Sequence, residues 1–167
     1  MRQIIEEAVA LTSQKKNASQ LDIKIEIPPD TPNVFVDSAQ IASAMSNIIC
    51  NGLESYETQA PDKDIPPANK LPGQEGQAGP IGIKAFADKA GGTVSIQVID
   101  SGRGMDEQTL AKATQPFYSA RPAGRKRGMG LAHTHRLIEI NHGTLSLASQ
   151  PGKGTTVTVV LPSVVSR

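Results

Sequence analysis

The sequence predicts an α+β protein, a two-layer α/β sandwich in which a mixed, mostly antiparallel sheet of about five strands carries helices on one face. Two patterns predict this fold. Short apolar segments with a period of two come in neighbouring pairs joined by glycine-containing turns, as in β-hairpins. Longer segments between them repeat apolar residues every three or four positions, as on the inner face of a helix.

Length and composition limit the kinds of protein. We expect one domain over residues 1–167, because 167 residues suffice for a single layered core. Lys and Arg number 17 against 16 Asp and Glu, so no basic surface for nucleic acid or acidic membrane is expected. One cysteine, Cys50, excludes an internal disulfide and fits a reducing, cytoplasmic compartment. No apolar run approaches the roughly 18 residues of a membrane span, so no direct membrane contact is expected.

The helices are predicted at residues 2–16, from a cap at Asp37 or Ser38 to about residue 56, at 106–113 and at 130–141. The strands are predicted at residues 21–27, 34–36 (a short strand or edge segment), 81–87, 93–100, 144–149 and 155–161. Residues 57–80 have no apolar period and hold several prolines and glycines, so we expect a flexible loop insertion there.

The strand predicted to end at Asp100 runs directly into a turn with Gly102 and Gly104. Glycines let backbone approach a ligand closely, because they have no Cβ. An ionised Asp100 only accepts hydrogen bonds, so it suits a ligand edge with an N–H₂ group, such as adenine. Asp-x-Gly-x-Gly is also common in ordinary turns, and its meaning depends on the rest of the chain.

Two asparagines lie on the long second helix. Asn47 and Asn51 are four residues apart and therefore share a face. An amide oxygen can complete a magnesium shell made largely of phosphate oxygens and water. The alternative is that both side chains are solvated or hydrogen-bonded locally.

Two further segments flank the start of the last helix. Residues 128–131, Gly-Met-Gly-Leu, open this helix, whose free backbone N–H groups form an anion site. Residues 116–122, Pro-Phe-Tyr-Ser-Ala-Arg-Pro, suit a lid with Phe117 as anchor and Arg121 reaching a phosphate. Ordinary surface loops have the same composition.

In order and spacing, the four segments resemble the catalytic, ATP-binding domain of bacterial sensor histidine kinases, a fold shared with gyrase, MutL-type and heat-shock-chaperone ATPases. The matching segments are residues 47–54 (N box), 100–105 (first glycine box), 116–121 (F box) and 128–131 (second glycine box). Residues 138–143, 149–156 and 161–162 resemble the family's closing hairpin. The F box, a Pro-Phe-aromatic run followed by a basic residue, is most similar to the nitrogen-regulation branch.

The resemblance implies ATP and Mg²⁺ as cofactors and a role for each matched residue. The residues that it implies in catalysis are Asn47 near the phosphates, Asn51 as the Mg²⁺ ligand and Arg121 as a cation for the γ-phosphate. The residues that it implies in binding ATP are Asp100 at the adenine amino group, Gly102, Gly104 and Met105 around the adenine, Phe117 in the lid, and Gly128, Met129, Gly130 and Leu131 at the phosphates.

The sequence departs from the family in three places. Lys126 and Arg127 stand where relatives have a glycine and a threonine, and with Arg125 they either add charge beside the phosphates or form a solvated loop. Gly52 replaces a common alanine. Glu54 stands where many relatives have a basic residue, so we do not expect it to touch phosphate.

Position 47 bears on the reaction. The ATP-hydrolysing cousins have a glutamate there as general base, whereas Asn47 cannot take a proton from water. This favours a domain that presents Mg-ATP to a different nucleophile, which in the sensor kinases is a histidine on a separate helical hairpin. The hairpin is expected to be absent here, because residues 2–16 supply too little helix, and the three histidines are expected to be structural or solvent-facing.

The expected partners are thus the phosphoacceptor domain of the same kinase and a response regulator downstream, and without the hairpin we expect an inactive monomer. Two alternatives remain. One is a conformational ATPase clamp of the gyrase and chaperone type. The other is a nucleotide-binding module with no chemistry.

Overall fold

The computed structural model describes residues 1–16, 22–56, 79–118 and 128–164. The helices in this part of the chain are α1 (Arg2–Lys15), α2 (Ser38–Glu54), α3 (Glu107–Lys112) and α4 (Gly130–Ile140). The strands are β1 (Ile23–Glu26), β2 (Ile81–Asp88), β3 (Thr93–Asp100), β4 (Thr144–Gln150) and β5 (Gly154–Pro162). Nearly all of the predicted loop insertion, residues 57–78, lies outside the described residues.

The five strands form one sheet in the order β1-β2-β3-β5-β4. Only β1 and β2 pair in parallel, and the other neighbours are antiparallel. The predicted mixed, mostly antiparallel sheet is therefore confirmed. Both predicted hairpins, β2–β3 and β4–β5, are present, because each pair of strands is joined by a short glycine-containing turn.

The core lies between one face of this sheet and the helices. Alternate residues of the central strands are buried there, among them Ile83, Ile96 and Val159, all fully buried. Residues between them, such as Lys84 and Gln97, lie on the opposite face and stay partly exposed. The same alternation carries Asp100, the last residue of β3, to the helical side of the sheet, where it is buried.

Helices α2 and α4 are held together by Asn141, directly after α4. Its Oδ1 accepts a hydrogen bond from the backbone N–H of Asp37 at 2.7 Å, and its Nδ2 donates to Gln40 Oε1 at 2.9 Å. Asp37 also caps α2, accepting from the N–H of Gln40 at 3.0 Å. Since the end of α4 meets the start of α2, the start of α4 lies beside the second half of α2.

Two segments differ from their predictions. The predicted half-buried strand at 21–27 is shorter, and Ile25 is exposed because β1 lies at the edge of the sheet. The predicted strand at 34–36 reduces to a single bridge between Val34 and Ser163. The short helix predicted at 106–113 is present as α3, and Asp106 caps it by accepting a hydrogen bond from the N–H of Thr109 at 2.7 Å.

Candidate functional site

A cleft of about 330 Å³ opens between the second half of α2, the end of β3 and the start of α4. Of the predicted site residues, those that line it are Asn47, Asn51, Asp100, Gly104, Met105, Gly128, Met129, Gly130 and Leu131. The fold thus brings segments that are up to 84 positions apart in the chain to one cleft, as the difference between residues 47 and 131 shows.

Helix α2 and its C-terminal cap supply one wall, through Asn47 and Asn51 on the helix and Ser55 at the cap. Residues spaced four apart lie on one face of a helix, so these three side chains form a column. The opposite stripe of α2, including Met45 and Ile49, is buried in the core and fixes the direction of this column. No hydrogen bond from the described residues reaches the side-chain amide of Asn51, which leaves that amide available to a ligand.

Asp100 lies at the other end of the α2 wall and is 8% exposed. Its Oδ1 accepts hydrogen bonds from the N–H of Gly102 at 2.9 Å, the hydroxyl of Ser55 at 2.9 Å and the N–H of Thr155 at 3.3 Å. Within residues 1–16, 22–56, 79–118 and 128–164, no group donates to Oδ2. The second oxygen is therefore the acceptor that remains for a ligand.

Burial raises the pKa of Asp100 above its ordinary value, because it disfavours the charged form. The hydrogen bonds from Gly102, Ser55 and Thr155 lower the pKa in part, since they stabilise the carboxylate. A ligand N–H donor at Oδ2 would stabilise the ionised form further.

The two glycines after Asp100 have different tasks. Gly102 is buried and is not among the cleft-lining residues, and a Cβ at this position would overlap the side chain of Ser55. Gly104 does line the cleft, with a φ of +67° that favours glycine, and a Cβ there would overlap the carbonyl oxygen of Gln150. Gly102 therefore positions Asp100, whereas Gly104 seats the turn on the β4–β5 hairpin.

The first turn of α4 presents backbone donors to the cleft. No described side chain caps this helix. The hydrogen bond that begins the helix joins the N–H of His133 to the carbonyl of Met129, the N-cap residue, at 2.9 Å. The N–H groups of Gly130 and Leu131 precede that bond and have no partner within the helix. A Cβ at Gly130 would meet nothing within 4 Å, so this end of the cleft is open.

The predicted F box is only partly in place. Phe117 is 79% exposed, does not line the cleft and has a left-handed φ of +64°. Tyr118 lines the cleft instead. A Cβ at Gly128 would lie 2.5 Å from the carbonyl oxygen of Tyr118, so the residues on either side of segment 119–127 meet closely.

The sequence profile of a family described as "Histidine kinase-, DNA gyrase B-, and HSP90-like ATPase" matches residues 36–165, which run from just before α2 to beyond β5. The chain belongs to this family. The family predicted from the four boxes is thereby confirmed.

Curated relatives of this ATPase-family chain include sensor histidine kinases. The sensor histidine kinase ZraS of Escherichia coli K12 is 27% identical over 164 residues, covering 98% of this chain and 30% of ZraS. Sporulation kinase B of Bacillus subtilis is 29% identical over 160 residues, covering 96% of this chain and 32% of that kinase. The chain thus spans about a third of the length of these relatives.

Solved structures show the same fold. The mycobacterial sensor histidine kinase MprB aligns with a TM-score of 0.70 at 22% identity, covering 98% of this chain and 94% of that one. The catalytic domain of histidine kinase ThkA aligns with a TM-score of 0.71 at 20% identity, covering 98% and 92%. Full-length ShkA, solved in complex with AMPPNP, aligns with a TM-score of 0.71 at 19% identity, covering 98% and 30%.

A magnesium ion would have few protein ligands in this member of the ATPase family. The described residues contain no group of three or more His, Cys, Asp or Glu side chains that would hold a metal. The unpartnered amide of Asn51 on the cleft wall fits an ion that keeps several waters and phosphate oxygens in its shell.

Some predicted residues are placed elsewhere or not described. Arg121 and the cluster 125–127 lie outside the described residues. Glu54 does not line the cleft; it is 4% exposed and pairs with Lys16 Nζ at 3.2 Å.

Among the described residues, no helix is long and apolar enough to cross a membrane.

Two groups around Asp100 were not predicted as site residues. Ser55 follows Asn51 by four positions, and that helical spacing is the signal that would have identified it. The N–H of Thr155 reaches Asp100 through the β3–β5 pairing, which no local pattern reveals.

Proposed function

We propose that this domain binds Mg-ATP in the cleft and presents the γ-phosphoryl group to a histidine on a separate phosphoacceptor domain, as part of two-component signalling with a response regulator downstream. The observation that carries the proposal is the one-sided hydrogen bonding of Asp100, whose Oδ1 is saturated and whose Oδ2 accepts nothing from the described residues.

The adenine is the best match for this carboxylate. Its exocyclic amino group donates to Oδ2, while apolar side chains that line the same cleft, including Val98, Met105 and Leu147, contact the ring. A base with a carbonyl oxygen at that position would place two acceptors against each other, which disfavours inosine and guanosine nucleotides.

The phosphates would lie along the α2 wall toward the first turn of α4. Backbone N–H groups of Gly130 and Leu131 are oriented as in other anion sites at helix N-termini. Asn51 would hold Mg²⁺, which when bound neutralises phosphate charge. Positioning and charge neutralisation are most of what phosphoryl transfer requires from a protein.

The cleft favours transfer over hydrolysis. Among its described lining residues the only carboxylate is Asp100. This group already accepts three hydrogen bonds and lies at the end of the cleft where the adenine would bind, which we call the base end. Asn47, on the α2 wall, has no basicity with which to activate water. The nucleophile must therefore be one that attacks without first losing a proton, as the unprotonated ring nitrogen of a neutral histidine does, and relatives named sensor histidine kinases support this class of acceptor.

The substitution Asp100→Asn tests the contact with the adenine. Three donors at Oδ1 fix the oxygen of the new amide there, so its N–H₂ group takes the place of Oδ2 and faces the adenine amino group. We expect the affinity for Mg-ATP to fall by about tenfold to a hundredfold, while the affinity for Mg-inosine triphosphate is kept or improved. Asp88→Asn, at the end of β2 and away from the cleft, is the matched control and should change neither affinity.

Isothermal titration with both nucleotides gives these values. Equal losses for the two nucleotides, or none, would contradict the placement of adenine at Asp100. The transfer itself is tested by supplying γ-labelled ATP and the phosphoacceptor domain of the same kinase and looking for acid-labile label on that domain. Steady release of phosphate by this chain alone would instead favour an ATPase clamp, and ATP binding with no phosphohistidine would favour a module without chemistry.

A further inference from the structure

Lys15, in the last turn of α1, reaches across to the cleft wall. Its Nζ donates to Ser46 Oγ at 3.2 Å and to Asn47 Oδ1 at 3.4 Å. Ser46 is fully buried and also accepts from the hydroxyl of Thr12 at 3.1 Å, so the ammonium group has a fixed partner on α2. The packing of α1 against α2 brings Lys15 to Ser46 and Asn47.

The contact decides which way the Asn47 amide points. An ammonium group has only donors, so the atom of Asn47 that faces Lys15 must be the oxygen. The N–H₂ group is then the part of the amide left for a ligand, and Asn47 lines the cleft. In this orientation the N–H₂ group can donate to phosphate oxygens, and the oxygen already faces an ammonium group, in contrast to the unpartnered amide of Asn51.

The position along α2 agrees with phosphate. Asn47 precedes Ser55 by two helical turns, which places it about 12 Å along the helix axis from the residue that contacts Asp100. Among the described residues that line the cleft, the one cationic side chain is Arg103, which follows the Asp100 strand at the base end. Lys15 does not itself line the cleft, but its contact with Asn47 places an ammonium group behind the far end of this wall.

We infer that Lys15 is a positioning residue for the triphosphate: it turns the Asn47 amide so that the N–H₂ group donates to the distal phosphates, and it supplies positive charge beside them. The inference rests on the proposed binding of Mg-ATP in this cleft and adds a residue from outside the four boxes. A lysine in the last turn of a helix also interacts favourably with the helix dipole, but that role does not involve nucleotide.

The test is Lys15→Met, measured by isothermal titration with Mg-ATP and with adenosine. We expect Mg-ATP to bind about tenfold more weakly and adenosine to bind unchanged, because only the phosphates lose a charged neighbour. Lys15→Arg keeps the positive charge and the donors and should retain most of the affinity. Lys24→Met, an exposed lysine on β1 whose side chain is on the open face of the sheet, is the matched control and should bind as the wild type does.

A second measurement separates positioning from folding. The thermal midpoint of Lys15→Met should stay close to that of the wild type, since Lys15 is exposed. Because Lys15 acts partly through Asn47, the double variant Lys15→Met/Asn47→Ala should lose less affinity than the sum of the two single losses, and a loss equal to that sum would overturn the positioning role. Unchanged Mg-ATP binding by Lys15→Met, or equal weakening for adenosine, would overturn the inference. Failure of the wild type itself to bind Mg-ATP would instead refute the proposed function.

Discussion

The two ends of the cleft are built in opposite ways. At the base end the polar groups are bonded to protein: Asp100 Oδ1 accepts three hydrogen bonds, and the hydroxyl of Tyr56 accepts from Ser101 N–H at 2.7 Å and donates to the carbonyl of Pro80 at 2.9 Å. At the phosphate end the amide of Asn51 and the first N–H groups of α4 have no such partners among the described residues.

The difference shows how the site divides its tasks. A single open acceptor in a rigid surround selects one base, because a misplaced donor or acceptor there has no way to relax. Unpaired N–H donors in the first turn of a helix bind phosphate, and the unpartnered amide oxygen of Asn51 suits a metal ion, and neither contact imposes one fixed geometry. Substitutions at the base end should therefore disturb the fold, whereas those at the phosphate end should mainly disturb binding.

The largest expected effect comes from a pair of glycines, one at each end. Gly104→Ala places a Cβ against the Gln150 carbonyl at a φ of +67°, and we expect the free energy of unfolding to fall by about 3 kcal/mol. Gly130→Ala meets no atom within 4 Å and should leave stability unchanged or raise it by up to about 1 kcal/mol. Urea unfolding measures both, and similar losses in the two variants would contradict the division between the ends.

Tyr56→Phe is expected to have the next largest effect. The ring stays buried, but the N–H of Ser101 and the carbonyl of Pro80 lose their partner, which should lower the free energy of unfolding by about 1–2 kcal/mol. Tyr118→Phe is the control, since its hydroxyl makes one long hydrogen bond of 3.4 Å to Thr109 Oγ1. If the control loses as much stability as Tyr56→Phe, the hydrogen bonds of the base end are not what holds its turn.

The sequence predicted the parts of this molecule that local periodicity determines. The 3.6-residue period of α2 placed Asn47 and Asn51 on one face, and the alternation in β3 carried Asp100 to its end. Contacts set by tertiary packing were not predictable in the same way. The N–H of Thr155 depends on strand register, and the approach of Lys15 to Asn47 depends on how α1 packs on α2. The left-handed backbone at Phe117 has no signal in its own residue type.

The pH dependence of stability should have opposite signs at Asp100 and Asp106. Burial raises the pKa of Asp100, so its contribution to stability is complete below the ordinary pKa of 3.8 and is lost as pH rises through the higher value in the folded protein. The pKa of Asp106 is lowered by the hydrogen bond from Thr109 N–H, so its contribution is present above pH 3.8 and is lost as pH falls.

Unfolding of the nucleotide-free protein across this pH range measures both contributions. Relative to the wild type, Asp100→Asn should gain stability as pH rises from about 4, and Asp106→Asn should gain stability as pH falls toward 3. In the structure Asp100 is buried and Asp106 is exposed. The same pH trend in both variants would contradict the opposite effects that we expect from this difference.

The smallest effect is expected in α4, the helix that begins at the phosphate end. The hydroxyl of Thr134 is fully buried and has no hydrogen-bond partner among the described residues. Thr134→Val replaces it with a methyl group of similar size and should raise the free energy of unfolding by up to about 1 kcal/mol. Thr12→Val is the matched control, because the buried hydroxyl of Thr12 donates to Ala8 O at 2.8 Å and contacts Ser46 Oγ at 3.1 Å, so this variant should lose stability. A loss in both variants would show that the Thr134 hydroxyl finds a partner in solution, and the helix at the phosphate end would then be as fully bonded as the base end.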